Sequence, residues 1–291
     1  KKIDNINPEE MIRLMVGREL KDIFEAQDNF FEDEKMLEVK NLKNSDFFDD
    51  ISFDIKKGEI VGFSGLIGAG RTELALTLFG YYKFESGNVK LAGKDLNINN
   101  PNEAIEAGIV YVSEERREKG LFTEMSVKNN LISPNLDSVS SSGFLQNYKI
   151  KKLTDNSISH LNIKTNDAET FVLKLSGGNQ QKIALGKWLP KNPKLLIIDE
   201  TTRGVDVGAK QEVYKMLRQL AKKGTSIMLI SSELPEIIGM CDRTIVMQNG
   251  RINGELEKKD FSEELILKYA SGYVEGNNQN KKEGEYYERL F

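Results

Sequence analysis

Residues 65–72 read G-L-I-G-A-G-R-T. The spacing is that of the phosphate-binding loop G-x-x-x-x-G-K-[ST], with Arg71 where the lysine belongs. In such a loop Gly65, Gly68 and Gly70 let backbone N–H groups turn inward around phosphates, the cation reaches the β/γ-phosphates, and the Thr72 hydroxyl binds Mg²⁺. Just upstream, residues 58–64 (G-E-I-V-G-F-S) form a short apolar, β-branched run, as a buried strand does. Just downstream, residues 71–80 (R-T-E-L-A-L-T-L-F-G) place apolar side chains at helical spacing and end in glycine. Strand, glycine loop and helix in that order aim a helix N-terminus at phosphate. A glycine-rich turn without a ligand is the plainer reading of the loop, and the flanking elements favour phosphate over it.

Two further stretches extend that reading. Residues 195–200 are L-L-I-I-D-E: four apolar residues, as in a strand buried on both faces, then two carboxylates. Alone, this reads better as a strand ending in a solvated acid pair. In a chain with a phosphate loop, Asp199 is placed to hold Mg²⁺, directly or through water, and Glu200 to polarise the attacking water as general base. Between the two lies L-S-G-G-N-Q-Q-K, residues 175–182, opening a helix. Glycines beside a serine at a helix start make a second anion site, and the plainer reading is a helix capped by Ser176.

Composition sets bounds on the rest. A chain of 291 residues buries one large core or two modest ones. Its formal net charge is −4 with charged residues of both signs, an ordinary surface that argues against a nucleic-acid partner. No apolar run approaches the length of a membrane-spanning helix, and the first residues lack the apolar core of a signal peptide. The single Cys241 excludes an internal disulfide framework, fits a reducing compartment and reads as a small packed hydrophobe.

The stretches together resemble the ATP-binding cassette (ABC) family over roughly residues 36–272. Gly65, Leu66, Ile67, Gly68, Ala69, Gly70, Arg71 and Thr72, followed by Glu73, resemble its Walker A nucleotide-binding segment. Leu175, Ser176, Gly177, Gly178, Asn179 and Gln180 resemble its signature motif, changed from L-S-G-G-Q at Asn179. Leu195–Glu200 resembles Walker B, and Gly204-Val205-Asp206 the D-loop. The resemblance implies an α/β fold: a P-loop NTPase core, an antiparallel β subdomain, and a helical subdomain inserted at about 115–190. It implies ATP and Mg²⁺ as cofactors, with Thr72 and Asp199 as metal ligands and Glu200 as the catalytic base. It also implies a base-stacking aromatic at Phe47 or Phe48.

Three positions depart from the family pattern. Arg71 replaces the lysine, and a guanidinium is planar and wider than an ammonium. Glu114, in Y-V-S-E, stands where the family's Q-loop has glutamine, adding negative charge beside the γ-phosphate. Ser232, in I-S-S-E-L-P-E, stands where the family has its switch histidine, and the only histidine, His160, lies in the helical region. Phosphoryl transfer rests on positioning and charge stabilisation, and removing one such contact costs on the order of 10²–10³ in rate. The departures predict a site that binds nucleotide and turns it over weakly, although Glu200 is in place.

One branch of the family carries this pattern, the monosaccharide importers of the ribose, galactose, xylose and arabinose type with two fused cassettes. G-A-G-R-T-E-L (68–74), T-R-G-V-D-V-G-A-K (202–210) and S-S-E-L-P-E (231–236) resemble the second of those cassettes, and M-V-G-R-E-L (15–20) resembles the segment joining them. That implies as partners the first cassette of the same polypeptide, integral membrane permease subunits and, indirectly, a sugar-binding protein, at the cytoplasmic face of the membrane. Cassettes pair head to tail, so the signature residues would serve the partner's ATP. The expected organisation is a linker with one amphipathic helix (8–20) over 1–35, the cassette over 36–272, and a polar tail over 273–291. A soluble regulatory nucleotide-binding cassette is the alternative reading, and a cassette ATPase of DNA repair or translation a further one.

Overall fold

The computed structural model describes residues 31–272 apart from Thr201 and Arg203. The helix expected over 8–20, the linker up to residue 30 and the tail from 273 lie outside the described residues. The chain opens with strands β1 (Lys35–Asn44), β2 (Phe48–Lys56) and β3 (Ile60–Ser64), then helix α1 (Arg71–Leu78). Next come β4 (Ser86–Leu91), β5 (Lys94–Asp95), α2 (Pro101–Ala107) and β6 (Ile109–Val112). A helical region holds α3 (Val127–Ile132), α4 (Leu136–Val139), the hairpin β7 (Ser140–Ser141) and β8 (Phe144–Leu145), α5 (Asn147–His160) and α6 (Gly177–Gly186). Alternation resumes with β9 (Leu195–Asp199), α7 (Val207–Lys222), β10 (Ser226–Ile230), α8 (Leu234–Met240), β11 (Arg243–Gln248), β12 (Arg251–Glu257) and α9 (Glu263–Ala270).

The larger sheet has the order β12-β11-β3-β10-β9-β6, parallel except for the antiparallel edge strand β12. Its central strands are buried on both faces, and their apolar residues divide by parity. Leu195 and Ile197 face one core with Phe63, Met228 and Ile230, while Leu196 and Ile198 face the other with Val110, Ile227 and Leu229. The first core is closed by α1 (Leu74, Leu78) and by an antiparallel sheet of order β2-β1-β4-β5. The second is closed by Ile183 of α6, Val213 and Leu217 of α7 and Ile237 of α8. Arg243, 7% exposed, ties the layers together. Its Nε donates to Glu59 Oε1 (2.8 Å) and its Nη2 to the Asp54 carbonyl on β2 (2.7 Å). A buried guanidinium is tolerable only with such a full set of acceptors.

The parallel register positions the site. Ile230 pairs with Asp199, Val112 with Ile198 and Ile230 with Phe63, so β3, β6, β9 and β10 finish at one edge. The glycine loop, Glu114, Glu200 and Ser232 all follow those strand ends. Ligands of open α/β sheets bind at such an edge. The expected strand 58–64 starts at Ile60 because Gly58 turns the chain with φ +76°. The expected helix 71–80 stops at Leu78 and is followed by Gly80 at φ +78°.

Candidate nucleotide site

The glycine loop needs its glycines. Gly65 (φ +152°), Gly68 (φ +81°) and Gly70 (φ +92°) all lie where L side chains are rare, and a Cβ on Gly65 would sit 2.3 Å from the Met247 carbonyl oxygen. Leu66 and Ile67 are exposed at the tip, Ala69 is buried, and α1 starts at once with Arg71, Thr72 and Glu73.

Arg71 is nearly buried and its guanidinium is directed to protein acceptors. Nη1 donates to the Ser231 carbonyl at 3.0 Å and lies 3.9 Å from Glu200 Oε1, both side chains being 10% exposed. Glu200 also accepts a hydrogen bond from the Ser232 hydroxyl at 3.0 Å. Its backbone is left-handed, φ +47°, while its N–H donates to the Ile230 carbonyl at 3.0 Å. A non-glycine residue there costs on the order of 1–3 kcal/mol and marks functional sites. Three sequence candidates, Arg71, Glu200 and Ser232, thus form one cluster.

Asp199 is 1% exposed. Its Oδ2 accepts from the Tyr111 hydroxyl at 2.8 Å, the Thr72 side chain bonds the same carboxylate, and Oδ1 is buried with no hydrogen-bond partner. Burial raises the Asp199 carboxyl above its ordinary value, Tyr111 and Thr72 pull it back, Glu200 adds to the rise and Arg71 opposes it. An orphaned, buried carboxylate oxygen beside a threonine hydroxyl fits a hard divalent cation. No group of three or more His, Cys, Asp or Glu able to hold a metal occurs among the described residues. Mg²⁺ uses such a sparse set, one or two protein oxygens completed by phosphates and water. Thr72 and Asp199 are the residues that would hold it, and there it would neutralise phosphate charge.

Glu114, just beyond β6, lines a cleft of about 750 Å³ with Thr72, Tyr111 and Asp199. Trp188 and Lys187 line the same cleft. Lys187 donates to the Gly120 carbonyl at 2.6 Å, and burial pushes its ammonium down to about 8. Of the two candidate aromatics, Phe48 is buried in the core, whereas Phe47 is half-buried against Tyr82, ring centroids 4.7 Å apart.

The signature residues form a second cluster that shares no residue with that cleft. Ser176, Gly178, Asn179 and Asp206 line a separate depression of about 390 Å³. Ser176 is exposed at the start of α6, but its hydroxyl makes no capping bond and instead accepts from Asn179 Nδ2 at 2.9 Å. Asn179 Oδ1 in turn accepts from the Lys164 N–H at 2.8 Å. Gln180 is fully buried, its Oε1 bonded to Arg117 Nε at 3.1 Å and its Nε2 to the Val172 and Leu175 carbonyls. A Cβ on Gly178 would come 2.4 Å from that of Ala209, and one on Gly177 3.0 Å from the tip of Arg116. Asp206 caps α7, accepting from the Ala209 N–H at 3.0 Å.

Sequence reasoning missed Tyr111, Ser231 and Glu236. The signal for Tyr111 was its place at the head of the Y-V-S-E stretch, three residues before Glu114. Ser231 and Glu236 stood at the ends of the S-S-E-L-P-E stretch without a role of their own. The His160 ring, at the end of α5, bonds the Asn156 carbonyl (2.9 Å), and Cys241 is fully buried with its thiol raised by burial, as a packed residue is.

A parallel sheet that presents a glycine loop, a threonine–aspartate pair and a terminal glutamate at one edge defines a P-loop nucleotide-binding α/β protein. A family model described as ABC transporter matches residues 48–203, and the chain belongs to that family. It is 43% identical over 268 residues to a putative ribose/galactose/methyl galactoside import ATP-binding protein of Halalkalibacterium halodurans, covering 92% of this chain and 51% of that protein. It is 44% identical over 264 residues to the ribose import ATP-binding protein RbsA of Bacillus subtilis, covering 91% of this chain and 53% of that protein. The chain therefore spans about half the length of the curated relatives it matches. A nucleotide-free ATP-binding cassette from an ABC transporter superposes with TM-score 0.67 at 24% identity, over 81% of this chain and 95% of that one, a likeness of fold. No described helix is long and apolar enough to cross a membrane.

Proposed function

We propose that this chain is the second nucleotide-binding cassette of a tandem monosaccharide importer, at the cytoplasmic face of the membrane. It binds Mg-ATP at a Walker site of low turnover and lends its signature motif to the ATP of the first cassette. The sugar-import names of its relatives and the half-length match support the transporter part. One observation carries the low turnover. The Arg71 guanidinium is engaged by the Ser231 carbonyl and set beside Glu200, the group that would activate water.

The residues divide the work. Backbone N–H groups of Gly65–Gly70 wrap the phosphates, and Thr72 and Asp199 hold the metal. Phe47 offers an aromatic face to the base. Glu200 is held by Arg71 and Ser232 and lacks a histidine across from it. Ser176, Gly177 and Gly178 reach the partner's γ-phosphate. The helical region over 115–190 meets the permease, which receives sugar from its binding protein. Steady-state phosphate release by this chain alone, over a range of protein concentrations, tests the low turnover. We expect a rate barely above background, and about 1 s⁻¹ or more, ordinary for an enzyme, would contradict it.

A further inference from the structure

Glu236 has no place in the scheme above, yet it is among the most deeply set carboxylates of the fold. It lies in the first turn of α8 at 3% exposure. Its two oxygens are divided between two chain segments. Oε1 accepts from the Thr202 hydroxyl at 3.0 Å and Oε2 from the Ser231 hydroxyl at 2.5 Å. Thr202 lies two residues beyond Glu200, and Ser231 immediately precedes Ser232. Ser231 is also the residue whose carbonyl receives Arg71, and its hydroxyl accepts from the Glu233 N–H at 3.0 Å.

We propose that Glu236 is a positioning residue that clamps the segment after β9 to the segment after β10, so that Glu200, Ser232 and Arg71 respond to nucleotide as one unit. The physical case is the cost of the alternative. A buried carboxylate is costly without partners; here the Thr202 and Ser231 hydroxyls reach its two oxygens from different strand ends, and the Tyr214 side chain of α7 hydrogen-bonds the same group. Displacing either segment alone strips a buried oxygen of the hydroxyl that segment supplies. Such a group resists independent motion and passes displacement of one segment to the other. Burial raises the Glu236 carboxyl from its ordinary value, and the Ser231 and Thr202 hydroxyls draw it back. A family-typical histidine would reach the γ-phosphate from the strand end. This chain fixes the strand end from behind instead.

The inference rests on the nucleotide reading of the site but not on its low turnover, so its test reads binding. Mg-ATP affinity of the 291-residue chain is measured by calorimetry for Thr202→Val, Ser232→Ala and the double variant, in the native background and in Glu236→Gln. Residues in one hydrogen-bond network couple measurably. We expect the two substitutions to be non-additive by about threefold or more in the native background, and additive in Glu236→Gln. Thermal melts of the same proteins separate this from a merely structural role, which lowers the melting temperature and leaves the affinities additive throughout. Additivity in the native background, coupling that survives Glu236→Gln, or absence of Mg-ATP binding by the native chain would each overturn the proposal. If Glu236→Gln does not fold, Ser231→Ala takes its place, with the same expectation. Rapid phosphate release would refute the low-turnover reading and leave this test intact.

Discussion

Arg71→Met removes the guanidinium and keeps much of the aliphatic stem. In the native chain the guanidinium makes one charge-assisted hydrogen bond, to the Ser231 carbonyl at 3.0 Å, and one ionic contact, 3.9 Å from Glu200. A hydrogen bond involving a charged group contributes about 1.5–3 kcal/mol. The Coulomb attraction at that separation is roughly 4 kcal/mol at an effective dielectric near 20, before the desolvation of both groups offsets most of it. Glu200 keeps its Ser232 hydrogen bond when the arginine goes, which limits the loss. The net expectation is a destabilisation of about 2–3 kcal/mol. Urea denaturation without nucleotide measures it, with Mg-ATP affinity taken by calorimetry on the same variant. Because Arg71 is engaged by protein atoms, affinity should weaken by less than about tenfold, 1.4 kcal/mol. Stability within about 0.5 kcal/mol of native, the range of an ordinary surface change, together with a hundredfold loss of affinity, would refute the reasoning. Arg71 would then be a phosphate ligand.

Thr72→Ala and Asp199→Ala should each weaken Mg-nucleotide binding, whereas Glu200→Gln should leave it nearly unchanged; equal losses in calorimetry of all three would show the roles misassigned. The raised Asp199 carboxyl predicts that Mg-ADP affinity falls on acidification from a higher pH than the ordinary aspartate value of about 3.9, since a metal ligand must be ionised. In the metal-free chain the sign reverses. The contribution of Asp199 to stability is present below the ordinary value and lost as pH rises through the raised one, so Asp199→Asn should remove that slope from a stability–pH profile, and an unchanged slope contradicts it. Gly178→Ala should lower stability by about 1–3 kcal/mol through overpacking against Ala209, while Gly177→Ala, opposed only by the flexible tip of Arg116, should cost less; thermal melts that rank them the other way would contradict the packing.

Much of the nucleotide edge was legible because its chemistry is local in sequence. The glycine loop, the L-L-I-I-D-E strand and the S-G-G start of a helix each carry their signal within about eight residues. From Lys194 the apolar pattern reads as strands over 195–199, 226–231 and 244–248 and helices over 208–223 and 234–239, and β9, β10, β11, α7 and α8 lie within a residue of those bounds. The partners of Arg71 were not legible, because they lie just beyond β9 and β10, 129 and 160 residues away along the chain. Tyr111 escaped for the same reason, since only the parallel register of β6 on β9 brings its hydroxyl to Asp199. Ser176 looked like a capping serine, but Asn179 competes for its hydroxyl. The edge strand β12 and helix α9 were not singled out, their segments carrying mixed polar and apolar residues without a motif.

We propose that this cassette acts on a partner's ATP more than on its own. In the full tandem protein reconstituted with its permease, Gly177→Leu and Glu200→Gln are compared for ATP hydrolysis and sugar uptake. A side chain at Gly177 obstructs backbone approach to a working γ-phosphate, whereas Glu200 faces the site that lacks a histidine and holds Arg71 instead. Gly177→Leu is expected to abolish both activities and Glu200→Gln to reduce them much less. If Glu200→Gln proves as damaging as Gly177→Leu, this cassette's own site is fully active and it does not act chiefly on its partner's ATP.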